Sequence, residues 1–185
     1  MAPVIKYLRL MKRVPVTPKK SPLARLLEPR VQLWRYCTEM WLVASIPYVA
    51  ILYLGDSIGA ISLPLPLGFV GAPSRDTSVL DVAQLVVFAP AAETVVLALL
   101  VRLISLATPR PLLVAVLTGL VFGVIHGLAS VILGIGALWG FFVLTCAYLV
   151  WRTKSFWSGY LAAFVPHALT NLSLLLIAWV SANAA

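Results

Sequence analysis

The sequence predicts an all-α, polytopic membrane helix bundle of about five spans with its N-terminus inside, and three observations carry that reading. Of the 185 residues, 62% are hydrophobic and 11% charged, with a mean hydropathy of +1.01, a balance too apolar for a water-soluble domain of this size. Five apolar runs approach the length that crosses a bilayer. The basic residues are segregated: nine of the 14 Lys and Arg residues fall within the first 35 positions.

That basic segment comes first along the chain. Lys6, Arg9, Lys12, Arg13, Lys19, Lys20, Arg25, Arg30 and Arg35 account for most of the net charge of +8. Pro3, Pro15, Pro18, Pro22 and Pro29 interrupt it, and no apolar stretch with a small-residue cleavage site follows the first charges. Residues 1–36 are therefore expected to form a basic, proline-containing cytoplasmic arm, and residues 37–185 a single helical membrane domain without internal repeats. A nucleic-acid partner is not expected, because the arm carries no recognisable binding fold and a juxtamembrane basic segment is the commoner object beside an anionic bilayer.

Spans are expected at residues 37–55, 82–105, 112–132, 135–151 and 156–181. Residues 60–72, with Pro64 and Pro66, are apolar but too short and too broken to cross, and fit a re-entrant or interfacial stretch. The remaining charges fix an orientation, since short cytoplasmic loops collect Lys and Arg. With the arm inside, Arg102, Arg110, Arg152 and Lys154 also fall inside, and Arg75 shares the outer side with Asp56, Asp76 and Asp81. A sixth crossing at 60–72 would reverse every later loop. Cys37 and Cys146 lie in or beside apolar runs and read as small hydrophobes. Trp34, Trp41, Arg30 and Arg35 read as juxtamembrane anchors, and Trp139, Trp151, Trp157 and Trp179 as interface or helix contacts.

Against this background a few polar residues stand out. Glu93 is the sole glutamate after Glu39 and sits in the middle of the second expected span. A carboxylate at that depth costs several kcal/mol unless paired, hydrated or protonated, so it is a functional candidate; a neutral glutamic acid bonded between helices is the plainer alternative. The two histidines of the chain, His126 and His167, also lie inside expected spans, and Asn171 follows His167 by four residues, on the same helical face. Each could serve only as an interhelical hydrogen bond. Counted along the helices, the three titratable groups reach comparable depths, near the midplane or just above it.

Together these residues can do chemistry. A glutamate beside two imidazoles can act as general base on water, and an imidazole or the Asn171 amide can stabilise the oxyanion of an attacked carbonyl. Two histidines and one carboxylate are equally the minimum of a catalytic zinc site with an open position for water. The spacing does not decide between them, and the helix-borne His-Glu-x-x-His signature is absent.

In Pro90-Ala91-Ala92-Glu93-Thr94, Phe122-Gly123-Val124-Ile125-His126 and His167-Ala168-Leu169-Thr170-Asn171, the chain resembles the CAAX prenyl endopeptidase and bacteriocin-processing (CPBP) family of intramembrane proteases. The three motifs come in the family's order, across residues 82–175, and the glycine-rich stretch of residues 136–155 ending in a basic turn is similar too. The resemblance implies an intramembrane endopeptidase: Glu93 would activate water, His126 would assist it, and His167 with Asn171 would stabilise the oxyanion. It implies a membrane-associated protein or peptide as substrate; members of the family have been described both as metalloproteases and as glutamate-dependent, metal-independent enzymes, and the latter, with no cofactor and no metal ligand, is favoured here, with a place in the cell membrane expected. The family's second glutamate is Thr94 here and its arginine is Ala98, so a noncatalytic scaffold or immunity factor on the same fold is the alternative. A proton-coupled transporter is a third class, disfavoured by the lack of an inverted repeat.

Overall fold

The computed structural model describes residue 27, residues 32–57 and residues 78–184. Most of the basic arm and all of the 60–72 stretch, with Arg75 and Asp76, lie outside the described residues. Five helices follow one another: α1 (Leu33–Ser57), α2 (Val79–Ala107), α3 (Pro111–Gly127), α4 (Val131–Trp151) and α5 (Phe156–Ala184). Among the described residues there is no strand. Helices α1, α2, α4 and α5 are long and apolar enough to cross a membrane, and the chain is an all-α, integral membrane helix bundle.

The helix ends differ from the expected spans at several places; α4, for one, begins at Val131 and not at residue 135, and three further differences bear on the site. Helix α1 begins at Leu33, inside the stretch assigned to the arm. Helix α2 begins at Val79 because Ser78 and Asp81 form a capping box: the Asp81 N–H donates to the Ser78 hydroxyl at 3.2 Å, and the Ser78 N–H donates back to the Asp81 carboxylate at 2.9 Å. Asp81 thus belongs to a first helical turn, where the sequence reading had placed a loop. Helix α3 ends at Gly127, not at residue 132, and its 17 residues rise only about 25 Å against a hydrocarbon core of about 30 Å. The N–H groups of Ala129 and Ser130 both turn back to the His126 carbonyl, at 3.1 and 3.2 Å, and close a tight turn into α4. His126 consequently lies in the last turn of α3 and not, as expected, within the body of a span.

Helix α4 is the centre of the bundle. Every residue from Phe141 to Trp151 is buried, on all faces of the helix, which is what an element apolar all round requires. It packs against α3 through glycines, because bilayer lipid offers no hydrophobic penalty to drive helices together and close backbone approach must supply the attraction. A Cβ on Gly134 would lie 2.7 Å from the Gly123 carbonyl and from the Gly127 Cα. On the other side, α1 seats the ring of Tyr48 on Gly136, where any Cβ would overlap it.

Pro47 interrupts α1 and, lacking an N–H, leaves the carbonyl four residues back without its helical partner. That carbonyl belongs to Val43, and the indole N–H of Trp139 on α4 donates to it at 2.9 Å. Two more bonds tie α1 to α5: Trp41 Nε1 donates to Ser173 Oγ at 3.1 Å, and the Ser45 and Thr170 hydroxyls meet at 2.8 Å.

Candidate functional site

Helix α5 builds one wall. Tyr160, His167 and Asn171 are seven and four residues apart, a spacing that lines them up on one face, and that face meets α2. Tyr160 donates its hydroxyl to the Ala91 carbonyl at 3.2 Å, and Asn171 Nδ2 donates to the Leu85 carbonyl at 3.0 Å. On the α5 face between these two ties, His167 Nε2 stands 3.4 Å from Glu93 Oε2. This is longer than a formed N–H···O bond, so the two side chains are neighbours with the carboxylate still free to engage a small third group. The His167 side chain is 8% exposed and that of Glu93 32%, so the acid keeps an open side while the imidazole is enclosed.

The depths agree across three helices. Measured from the bundle end that carries the turns at residues 108–110 and 152–155, Glu93, His126 and His167 lie 14, 15 and 11 residues along α2, α3 and α5, rises of about 21, 23 and 17 Å. His126 stands beside the same Phe141 ring as His167. Its Nδ1 lies 2.9 Å from the Phe122 carbonyl. A carbonyl can only accept, so this bond places the ring proton on Nδ1 and leaves Nε2 as the acceptor of the neutral imidazole.

Phe141 of α4 supplies the floor between the two imidazoles. It stacks on Phe122 with ring centroids 3.7 Å apart, approaches His126 at 5.6 Å and meets His167 edge-on at 5.1 Å. The other ring nitrogen of His167, Nδ1, is buried and has no hydrogen-bond partner among the described residues. Tyr48 of α1, whose ring sits on Gly136, lies within electrostatic reach of Glu93 from a fifth helix.

The two positions that depart from the resemblance are accounted for locally. Thr94 is buried, and its hydroxyl donates to the Pro90 carbonyl one turn back at 2.7 Å; Ala98 is buried in the apolar core beside Leu97 and Val101. Neither provides a charge to the site. Among the described residues no group of three His, Cys, Asp or Glu side chains is arranged to hold a metal ion.

The structure therefore brings Glu93 and His167 together, sets His126 across the Phe141 ring from His167, and ties Asn171 to the backbone of α2. Phe141, Tyr160 and Tyr48 escaped sequence reasoning. Tyr160 shared a legible seven-residue spacing with His167, whereas an apolar ring in an apolar run and a tyrosine 45 positions before Glu93 gave no local signal. In comparisons with protein families, with curated proteins and with solved structures, the chain finds no match.

Proposed function

We propose that this protein is an intramembrane endopeptidase of the CAAX-processing type, acting on a membrane-associated protein or peptide in the cell membrane. The observation that carries the reading is the 3.4 Å approach of Glu93 to His167, with the second imidazole of the chain beside the same Phe141 ring as the first. An acid and two bases on three helices are costly to hold inside a bilayer, which makes them a functional-site candidate by default.

In this mechanism the Glu93 carboxylate takes a proton from a water, whose oxygen attacks the peptide carbonyl carbon. His126, with Nε2 free to accept, shares the proton load. His167, held between Glu93 and Phe141, faces the developing oxyanion, which the resemblance would also give to Asn171. The proton passes to the departing amine nitrogen as the C–N bond breaks, leaving a new carboxyl and a new amine. Helix α3 stops short of a full span beside His126, and this favours water entry from that side. An outer-leaning site on a small scaffold suits the C-terminal tails of exported or lipid-modified proteins as substrates, by analogy with branches of the family it resembles.

One observation favours a second reading, a noncatalytic scaffold or immunity factor: Thr94 and Ala98 are absorbed into packing where the family has Glu and Arg. Reconstituted protein and a membrane-anchored peptide, followed by mass spectrometry, separate the two. Cleavage that is lost in Glu93→Gln, His126→Ala and His167→Ala and withstands a chelator supports the proposal. Retained cleavage in all three variants removes the mechanism, and a parent protein that folds but yields no product supports the scaffold.

A further inference from the structure

Helix α2 contains a π-helical turn, Gln84–Phe88, in which the Ala89 N–H donates to the Gln84 carbonyl five residues back. In an α-helix that N–H would have served Leu85. The next donor in the π register would be residue 90, and that residue is proline, with no N–H to give. The Leu85 carbonyl is thus deprived twice within its own helix. Asn171 of α5 supplies the missing donor at 3.0 Å.

The chain uses the same device elsewhere, away from the candidate site. Pro47 orphans the Val43 carbonyl, and the Trp139 indole fills it from α4. The Leu85 bond differs in what it maintains. Positions 85 and 93 of a regular α-helix point about 80° apart at 100° per residue. A π turn absorbs one extra residue and reduces that divergence to about 20°. The turn is therefore what lets one face of α5 hold Leu85 with Asn171 and meet Glu93 with His167 at the same time.

We infer that Asn171 is a positioning residue, which holds the π turn of α2 through the Leu85 carbonyl and so aims Glu93 at His167, and that it does not bind the oxyanion. The inference rests on the proposed peptidase reading for its effect on rate, while the structural part stands without it.

The test exploits Pro90. Replacing it by alanine restores an N–H five residues after Leu85, in the register that Ala89 already uses, and makes the Asn171 donor dispensable. Parent, Asn171→Ala, Pro90→Ala and the double variant are compared by thermal unfolding in detergent and by kcat and KM on the membrane-anchored peptide. Asn171→Ala is expected to lower Tm by about 2–4 °C and kcat by on the order of 10- to 100-fold, with KM unchanged, the signature of a displaced base. The double variant is expected to recover both. If Asn171→Ala alone does not fold, a double variant that folds and cleaves is the same result. Recovery of Tm without recovery of kcat would mean that the amide touches the reacting carbonyl, and would overturn the inference; absence of any recovery, or no coupling between the two sites, would overturn it as well. A parent protein without cleavage would sink the peptidase reading, and the unfolding cycle alone would then decide whether Asn171 holds the turn.

Discussion

Phe141 meets the ring of His167 edge-on, with centroids 5.1 Å apart and an interplanar angle of 80°, while its flat face lies on Phe122. A ring edge against a π face is a preferred aromatic geometry worth about 0.5–1.5 kcal/mol, and this one fixes the plane of His167 without using either nitrogen. Phe141→Leu conserves the apolar character but removes the ring. It is expected to destabilise the protein by about 1 kcal/mol and to lower kcat more than it changes KM, as read by unfolding and by peptide cleavage.

Trp139 carries a purely structural load. Trp139→Phe leaves the Val43 carbonyl without its 2.9 Å donor and should cost about 0.6–2 kcal/mol. Since Pro47 is the cause of that orphan, Pro47→Ala should offset most of the loss. Melting of the four-variant cycle in detergent measures the coupling, and additive losses would contradict the assignment.

Close packing of α3 on α4 depends on glycine at Gly134. With the Gly123 carbonyl and the Gly127 Cα each 2.7 Å from a would-be Cβ, both obstacles are backbone and cannot rotate away. Gly134→Ala is therefore expected to force the hairpin apart and cost about 1–3 kcal/mol. Gly140, where a Cβ would meet nothing within 4 Å, is the matched control, and Gly140→Ala should leave Tm within about a degree.

Much of this architecture is written in local sequence, and the limits are physical. Apolar runs near membrane length gave the helices, and the positions of Glu93, His126, His167 and Asn171 within them gave comparable depths from the rise per residue alone. Boundaries were less legible. The end of α3 at Gly127 depends on a tight turn within an unbroken apolar stretch, and the capping box of Ser78 and Asp81, though visible as a Ser-x-x-Asp pattern, lay beside loop-like charges. The π turn is a register choice imposed jointly by Pro90 and by Asn171, 81 positions away. No window of the sequence contains both, so the duty of Asn171 toward Leu85 appears only when α2 and α5 stand side by side.

Orientation gives an independent prediction. The turns at residues 108–110 and 152–155, flanked by Arg102, Arg110, Arg152 and Lys154, are expected on the cytoplasmic side by the distribution of Lys and Arg, and the turn at residues 128–130 on the opposite side. In a background with Cys37 and Cys146 replaced by alanine, single cysteines at Thr108 or Thr153 should be shielded from an impermeant thiol reagent added outside intact cells, and a cysteine at Ala129 should react. The reverse pattern would overturn the orientation and, with it, the side from which water reaches His126.

The proposed role of Glu93 as the base of a hydrolytic centre is tested most directly by a single comparison: kcat of the parent and of Glu93→Gln on a membrane-anchored peptide, with both proteins folded to the same Tm within about 2 °C. Glutamine keeps the shape and removes the base, so the rate is expected to fall by about 10²–10⁴-fold. A Glu93→Gln protein that cleaves within a few-fold of the parent would contradict the account.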